Sequence, residues 1–337
     1  MPNPVIAEVT RGGFIESRHT GAYAVMDSAG KLIASAGDIA QAVFPRSAIK
    51  AFQCLPLVES GAADRFGFTA EDLALACASH NGEAAHVRVA GGMLAKSGAS
   101  EAQYECGPHW PHELSVQHEM VRRAEEPRAI HNNCSGKHAG MLALARHLDA
   151  PAEGYSRIDH PVQRAVAKAM SELCDIDIDA QPHGIDGCSV PTWAIPLHHL
   201  ALGFARFGSG TGVSEARKAA CQRIIGAVRA HPFMVAGTNG FCTRVMEAVP
   251  RAFAKTGAEG VFCGAIPHAG LGIALKCDDG AHRASETAMA ALMASLPVWT
   301  EAERQALSTF AATDLSNWRK IRVGDVHAAI ESKCRVD

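Results

Sequence analysis

The chain has 337 residues, 47% of them hydrophobic and 20% charged, with a net charge of −3. That is ample for a large core, in one large domain or two closely joined subdomains. No basic stripe or arginine cluster stands out, which argues against nucleic acid or an anionic membrane surface as a partner. No apolar run reaches the ~18 residues of a membrane span. The start, Met1-Pro2-Asn3-Pro4-Val5, lacks the basic and apolar regions of a signal peptide. Eleven cysteines, scattered without framework spacing, read as reduced thiols. The expected location is therefore the cytoplasm.

The first ~40 residues read as strands. Ile6–Thr10, Phe14–Ser17 and Ala22–Met26 are short segments separated by glycines, and Gly30 suits a hairpin turn between Tyr23–Met26 and Leu32–Ala34. Helices follow. One opens near Ser47 and runs through Ile49, Phe52 and Leu55. Thr69-Ala70-Glu71-Asp72 is a capping-box pattern before Leu73 and Leu75. Ala84–Lys96 stops near Gly98, and His138–Leu148 carries an apolar face. A further helix follows Asp159-His160-Pro161, and Val213–Ala230 ends at His231-Pro232. Gly260–Ile266 and Leu271–Cys277 pair antiparallel, then Asp278-Asp279-Gly280 turns into a final helix near Arg283–Leu296, with a last strand at Arg319–Val323. Strands at both ends with helices between predict an α/β (α+β) fold. One antiparallel sheet is built from both termini and flanked by helices, with an inserted helical lobe. The expected division is a single domain over 1–337, with a sheet subdomain near 1–45 and 250–337 and a helical and mixed lobe near 46–249. Gly208-Ser209-Gly210-Thr211-Gly212 neither follows a strand nor fits a dinucleotide fingerprint, and Gly136-Lys137 does not fit a phosphate loop.

Three short motifs carry the chemistry: Ser47-Ala48-Ile49-Lys50, Ser79-His80-Asn81 and Lys255-Thr256-Gly257. In this order they are the S-x-x-K, S-x-N and K-T-G set of serine β-lactamases and penicillin-binding proteins. A serine alcohol needs a base beside it and donors for an oxyanion. One helical turn separates Ser47 from Lys50, so the two can face each other. S-x-x-K alone is weak, since a chain of this length shows about one by chance; Ser28-Ala29-Gly30-Lys31 is such a decoy in a turn. The plain alternative for Ser47 is a helix cap, with Lys50 a solvated first-turn lysine.

Longer stretches extend the likeness. Phe44–Lys50, Cys77–Glu83, Asn132–Met141, Asp186-Gly187-Cys188 and Lys255–Gly260 resemble the thermolabile, rhizobial-type (class 3) L-asparaginases, over nearly the whole chain. The resemblance implies a serine β-lactamase-like fold, a homodimer, and hydrolysis of L-asparagine to L-aspartate and ammonia. It also implies a zinc site that tunes activity without performing the chemistry, held by Cys134, Lys137 and Cys188. Two thiolates suit zinc, although C-x-x-K is not a usual ligand spacing and two buried thiols beside a helix start is the plain alternative. The chain departs from the family around Val235–Cys242, where a more acidic loop is expected.

In this reading Ser47 is the nucleophile, Lys50 its base, and Ser79 a proton relay to the departing ammonia. Lys255 is the second cation that helps Lys50 shed its proton. Backbone N–H groups at Ser47 and on the Lys255–Gly257 strand serve the oxyanion. Arg46, His80, Asn81 and Asp186 are the expected substrate-binding residues. Arg46 is a fork for the α-carboxylate. His80 is more readily a structural hydrogen bonder than a base. Asp186 orients the substrate ammonium or a zinc-bound water. The rivals are a glutaminase or esterase with the same machinery, a non-catalytic amino-acid binding protein, and a hydrolase using a catalytic zinc on Cys134 and Cys188.

Overall fold

The computed structural model describes residues 2–330; the last part of the expected sheet subdomain, 331–337, lies outside them. The chain divides into two compact units. The first comprises residues up to Ala48, Ala194–Gly212 and the chain from Val245 onward. The second comprises Ile49–Trp193 and Val213–Arg244.

The first unit is built on an antiparallel sheet whose strands, in chain order, are β1 Val5–Arg11, β2 Phe14–Asp27, β3 Leu32–Ala36, β4 Phe253–Thr256, β5 Val261–Ile266, β6 Leu271–Cys277, β7 Ala312–Ser316 and β8 Arg322–Ala328. Their spatial order is β7-β8-β1-β2-β6-β5-β4, with β3 on β2. Strands from both ends of the sequence thus share one sheet, as the distribution of strand signals predicts. Two expected strands fuse. Gly21 does not break β2 but lets it pass β6 closely, since a Cβ there would sit 2.3 Å from the Lys276 carbonyl oxygen. The last strand lies later than expected. Arg319 and Lys320 form the turn, closed by Lys320 N–H donating to Asn317 O (2.9 Å), and Lys320 has φ 63°. Helix Glu301–Ser308 follows the helix expected to be the last, which spans His282–Ser295.

Helix Leu197–Ser209, within the stretch assigned to the helical lobe, packs on β2, β6 and β5. Gly272 makes this possible: a Cβ there would meet the Ala201 oxygen and Ala205 nitrogen at 2.1 Å. From this helix Phe204 stacks on Phe253 and Phe207 meets Phe253 edge-on, all fully buried.

The second unit is helical. Helix Lys50–Glu59 is buried along almost its whole length. It packs against helices Pro161–Cys174, Ser135–His147 and Glu215–Ala230. A helix buried on nearly all sides belongs in the middle of such a bundle. The Thr69 capping box forms with Asp72 at the head of helix Ala70–Ala76. Helix Ala84–Ser97 ends at Gly98 with φ 66°, the left-handed stop its glycine favours. Helix Ser135–His147 starts tight against helix Ala70–Ala76, because Gly136 leaves no room for a Cβ beside the Leu75 oxygen (2.4 Å). Among the described residues no helix is long and apolar enough to cross a membrane.

Candidate active site

In the first unit, Pro45 leads into a 3-10 turn, Arg46–Ile49. Ser47 and Arg46 are half-buried on it. Arg46 has φ 52°, a left-handed conformation that costs a non-glycine residue about 1–3 kcal/mol and concentrates at functional sites. Ala48 N–H donates to Pro45 O (3.1 Å), closing the turn. The end of β4 lies directly against it. A Cβ on Gly257 would sit 2.6 Å from the Pro45 oxygen and 3.2 Å from the Ala48 nitrogen. The glycine of K-T-G is therefore needed for close approach, and it brings the Lys255–Gly257 stretch to the Ser47 turn. Lys255 is 1% exposed, and its ammonium donates to Thr256 O at 2.9 Å. Gly257 N–H donates to Val261 O at 2.7 Å, closing the turn between β4 and β5.

In the second unit, Lys50 is fully buried. Its Nζ donates to Ala78 O (2.5 Å), Ser79 Oγ (2.9 Å) and Asn133 O (3.4 Å). Three donors meet three neutral oxygens, which fixes the amine and turns it to the Ser79 hydroxyl. Ser79 is itself held by its N–H on Val235 O at 2.9 Å.

His80 is 0% exposed, accepts from Gly82 N–H at Nδ1 (3.0 Å) and pairs with Ser135 Oγ through Nε2 (2.9 Å). Burial, then the neighbouring His86 and Lys50, hold it well below the ordinary histidine range. Both nitrogens are committed, so it positions Ser135 and the Gly82 turn and leaves no group for a substrate. Asn81 Nδ2 donates to Thr238 O at 3.4 Å. Glu83 receives Thr238 N–H (2.8 Å) and Oγ1–H (2.6 Å). The 235–242 loop, which lacks the acidic residues expected of it, is thus held by an acidic side chain from another segment.

The Cys134, Lys137 and Cys188 side chains converge. All are under 5% exposed, and Lys137 Nζ donates to Cys188 Sγ at 2.9 Å. A hydrogen bond from Cys188 holds Cys134 well below the usual thiol range against the opposing effect of burial, with help from the Lys50 and Lys137 cations. Cys188 is pushed up by that same bond and by burial. Burial pulls Lys137 down but is outweighed by both sulfurs and Asp186, which raise it. Cys134 Sγ also donates to Asn133 Oδ1 at 3.2 Å, so the two sulfurs and the Lys137 amine sit in one hydrogen-bonded group. Two sulfurs and one amine nitrogen fit a zinc ion. Such a site must displace the protons that now bind the set together. The Cys188 thiol donates to Asp186 Oδ2 at 3.5 Å.

Two features escaped the sequence. The backbone oxygens of Ala78 and Asn133 on Lys50 carry no side-chain signature, although both residues stand within or beside the quoted motifs. A separate cluster, His19, Cys277 and Asp279 in the first unit, places three ligand-type atoms within 4.8 Å of one another and can hold a metal ion.

Comparison with solved structures gives distant neighbours. A structure described as Mglu has 16% identity over 79% of this chain and 64% of its own, with a TM-score of 0.42, so the chain spans less than two thirds of it. A β-lactamase from Mycobacterium bovis, Mb2281c, has 13% identity over 86% of this chain and 94% of its own, with a TM-score of 0.39. A search of curated proteins found no match. The family described as L-asparaginase II matches residues 7–328. With nearly its whole length matched, the chain belongs to the L-asparaginase II family, whose general chemistry is hydrolysis of L-asparagine.

Proposed function

We propose that this chain hydrolyses L-asparagine to L-aspartate and ammonia through an acyl-enzyme on Ser47. The observation that carries the reading is the Lys50 amine, buried and bonded to Ser79 Oγ at 2.9 Å, three residues after Ser47 on a turn that leads into its helix. Lys50 takes the Ser47 proton as the Oγ–carbon bond forms at the side-chain amide. Ser79 passes a proton to the nitrogen as the carbon–nitrogen bond breaks and ammonia leaves. Water, activated by the same amine, attacks the aspartyl ester, and the carbon–Oγ bond breaks to return Ser47. Lys255 contributes positive charge. Arg46 binds the α-carboxylate, with Asn81 and Asp186 completing the substrate contacts.

Cys134, Lys137 and Cys188 are the residues that would hold zinc. When bound there the ion would supply positive charge and a rigid tie between the Ser135–His147 helix and the 186–189 turn. It would also engage the Cys134 sulfur that otherwise faces the Lys50 cation. That shared sulfur supports a tuning role for zinc. The chain is proposed to act in the cytoplasm as a homodimer.

The test is hydroxylamine partitioning with L-asparagine as substrate. An acyl-enzyme yields the β-hydroxamate of aspartate in competition with hydrolysis, and chelator-treated enzyme keeps its activity at high substrate. Hydrolysis without hydroxamate, or complete loss on metal removal that high substrate does not restore, would favour a metal-bound water as nucleophile.

A further inference from the structure

The cluster formed by His19, midway along β2, with Cys277 and Asp279 belongs to none of this machinery. His19 is 5% exposed, and Cys277, at the end of β6, is fully buried. Asp279 stands in the turn after β6 with its side chain about half exposed. His19 Nδ1 meets Asp279 Oδ2 at 2.6 Å, and the Cys277 thiol donates to Asp279 Oδ1 at 3.0 Å.

The backbone beneath these side chains is pinned from several sides. Cys277 N–H donates to Gly260 O (2.9 Å), Asp278 N–H to Thr20 O (2.9 Å) and Gly280 N–H to Cys277 O (3.2 Å). Ala281 N–H donates to Asp279 Oδ1 at 3.0 Å. Thr20 Oγ1 donates to Asp278 Oδ2 at 2.7 Å, fastening the turn to the residue after His19. Ligands on strands and a locked turn are placed more accurately than ligands on a free loop.

We propose that His19 Nδ1, Cys277 Sγ and an Asp279 carboxylate oxygen form a zinc-class site that clips β2 to the turn leading into helix His282–Ser295. One imidazole nitrogen, one thiolate and one carboxylate are a donor set zinc accepts in tetrahedral geometry. The exposed side of Asp279 leaves the fourth position to water. Binding releases the Cys277 proton to solvent, because a thiol ligates as the thiolate.

Arg283 opposes this site. Its Nε donates to His19 Nε2 at 3.2 Å, which places the imidazole proton on Nδ1, where the metal would sit. Binding at Nδ1 moves that proton to Nε2, where it would face the Arg283 donor. Arg283 must therefore swing away, and it is exposed enough to do so. Arg283 thus gates the site by setting the tautomer of its histidine.

The test is titration of metal-stripped full-length protein with cobalt(II), following the thiolate-to-cobalt charge-transfer absorption and the equivalents bound. Cys277→Ser and, separately, the more conservative surface change Asp279→Asn should each lower cobalt uptake by one equivalent. Both should leave ammonia release from L-asparagine unchanged, and Arg283→Ala should tighten binding at this site about tenfold. Cobalt uptake and absorption in Cys277→Ser and Asp279→Asn equal to those of the wild type would overturn the proposal. Because the readout is a difference between variants, metal held by Cys134, Lys137 and Cys188 does not affect it.

Discussion

Two lysines are buried in the helical unit, Lys50 at 0% and Lys137 at 3% exposure, and their partners give them different chemistry. The hydrogen-bond partners of Lys50 are oxygens of Ala78, Ser79 and Asn133, none carrying a formal charge. Lys137 points at Cys188, with Cys134 and Asp186 adding negative charge that keeps its proton on. In the proposed scheme the first is the base toward Ser47, and the second holds its proton until a metal replaces it. The Cys134 sulfur touches both arrangements and couples them.

The strongest way to break this contrast is to remove the first amine. Lys50→Ala should lower kcat for ammonia release about 10³-fold, while far-ultraviolet circular dichroism keeps the native helix signal. A fall of only a few-fold would mean that Lys50 merely fills the core. Next comes the contact that sets the K-T-G stretch against the Ser47 turn. Gly257→Ala drives a Cβ towards the Pro45 oxygen, now 2.6 Å away, and should cost about 10² in kcat/KM through misplacement. Normal kinetics from this variant would show that the register of that strand is unimportant.

Lys137→Met sharpens the other half of the comparison. It should lower zinc affinity by one to two orders of magnitude in equilibrium dialysis, raise KM about tenfold and change kcat little. A loss in kcat matching that of Lys50→Ala would erase the distinction between the two lysines. The smallest expected effect is a pH dependence of stability. Burial holds His80 and His138 well below their ordinary value of 6.5. The unfolded chain therefore takes up protons first. The contribution is complete above about 6.5 and falls as pH drops below it, by at most about 1.4 kcal/mol per pH unit for each histidine. Urea midpoints at pH 7.5 and 5.5 read this directly, and equal midpoints would count against neutral buried imidazoles.

The sequence revealed the elements that have local chemistry. Thr69 and Asp72 announce their capping box, Gly98 its helix stop, and Gly30, with φ 92°, its hairpin turn. Termini that both read as strands were enough to predict one shared antiparallel sheet. Contacts between distant segments were less legible. Nothing local says that Leu197–Ser209 will lie on β6, because the permission resides in Gly272. Gly21 reads as a strand breaker by propensity, and tertiary packing overrides that preference. In the site, residue types with intrinsic reactivity stood out: Ser47, Lys50, Ser79, Lys255 and the Cys134 and Cys188 pair. Backbone groups did not, so the Ala78 and Asn133 oxygens on Lys50 and the Gly257 N–H bond to Val261 O appeared only in three dimensions. His80 sits between Ser79 and Asn81, yet its burial and its bonds to Gly82 and Ser135 give it a structural task.

The central claim is that Ser47 is the nucleophile, and the most direct test is ammonia release from L-asparagine by wild type and Ser47→Ala at saturating substrate. The account predicts brisk release by the wild type and a loss of at least about 10³-fold in the variant. Near-normal release by Ser47→Ala would contradict it and turn attention to the Cys134, Lys137 and Cys188 centre as the seat of the reaction.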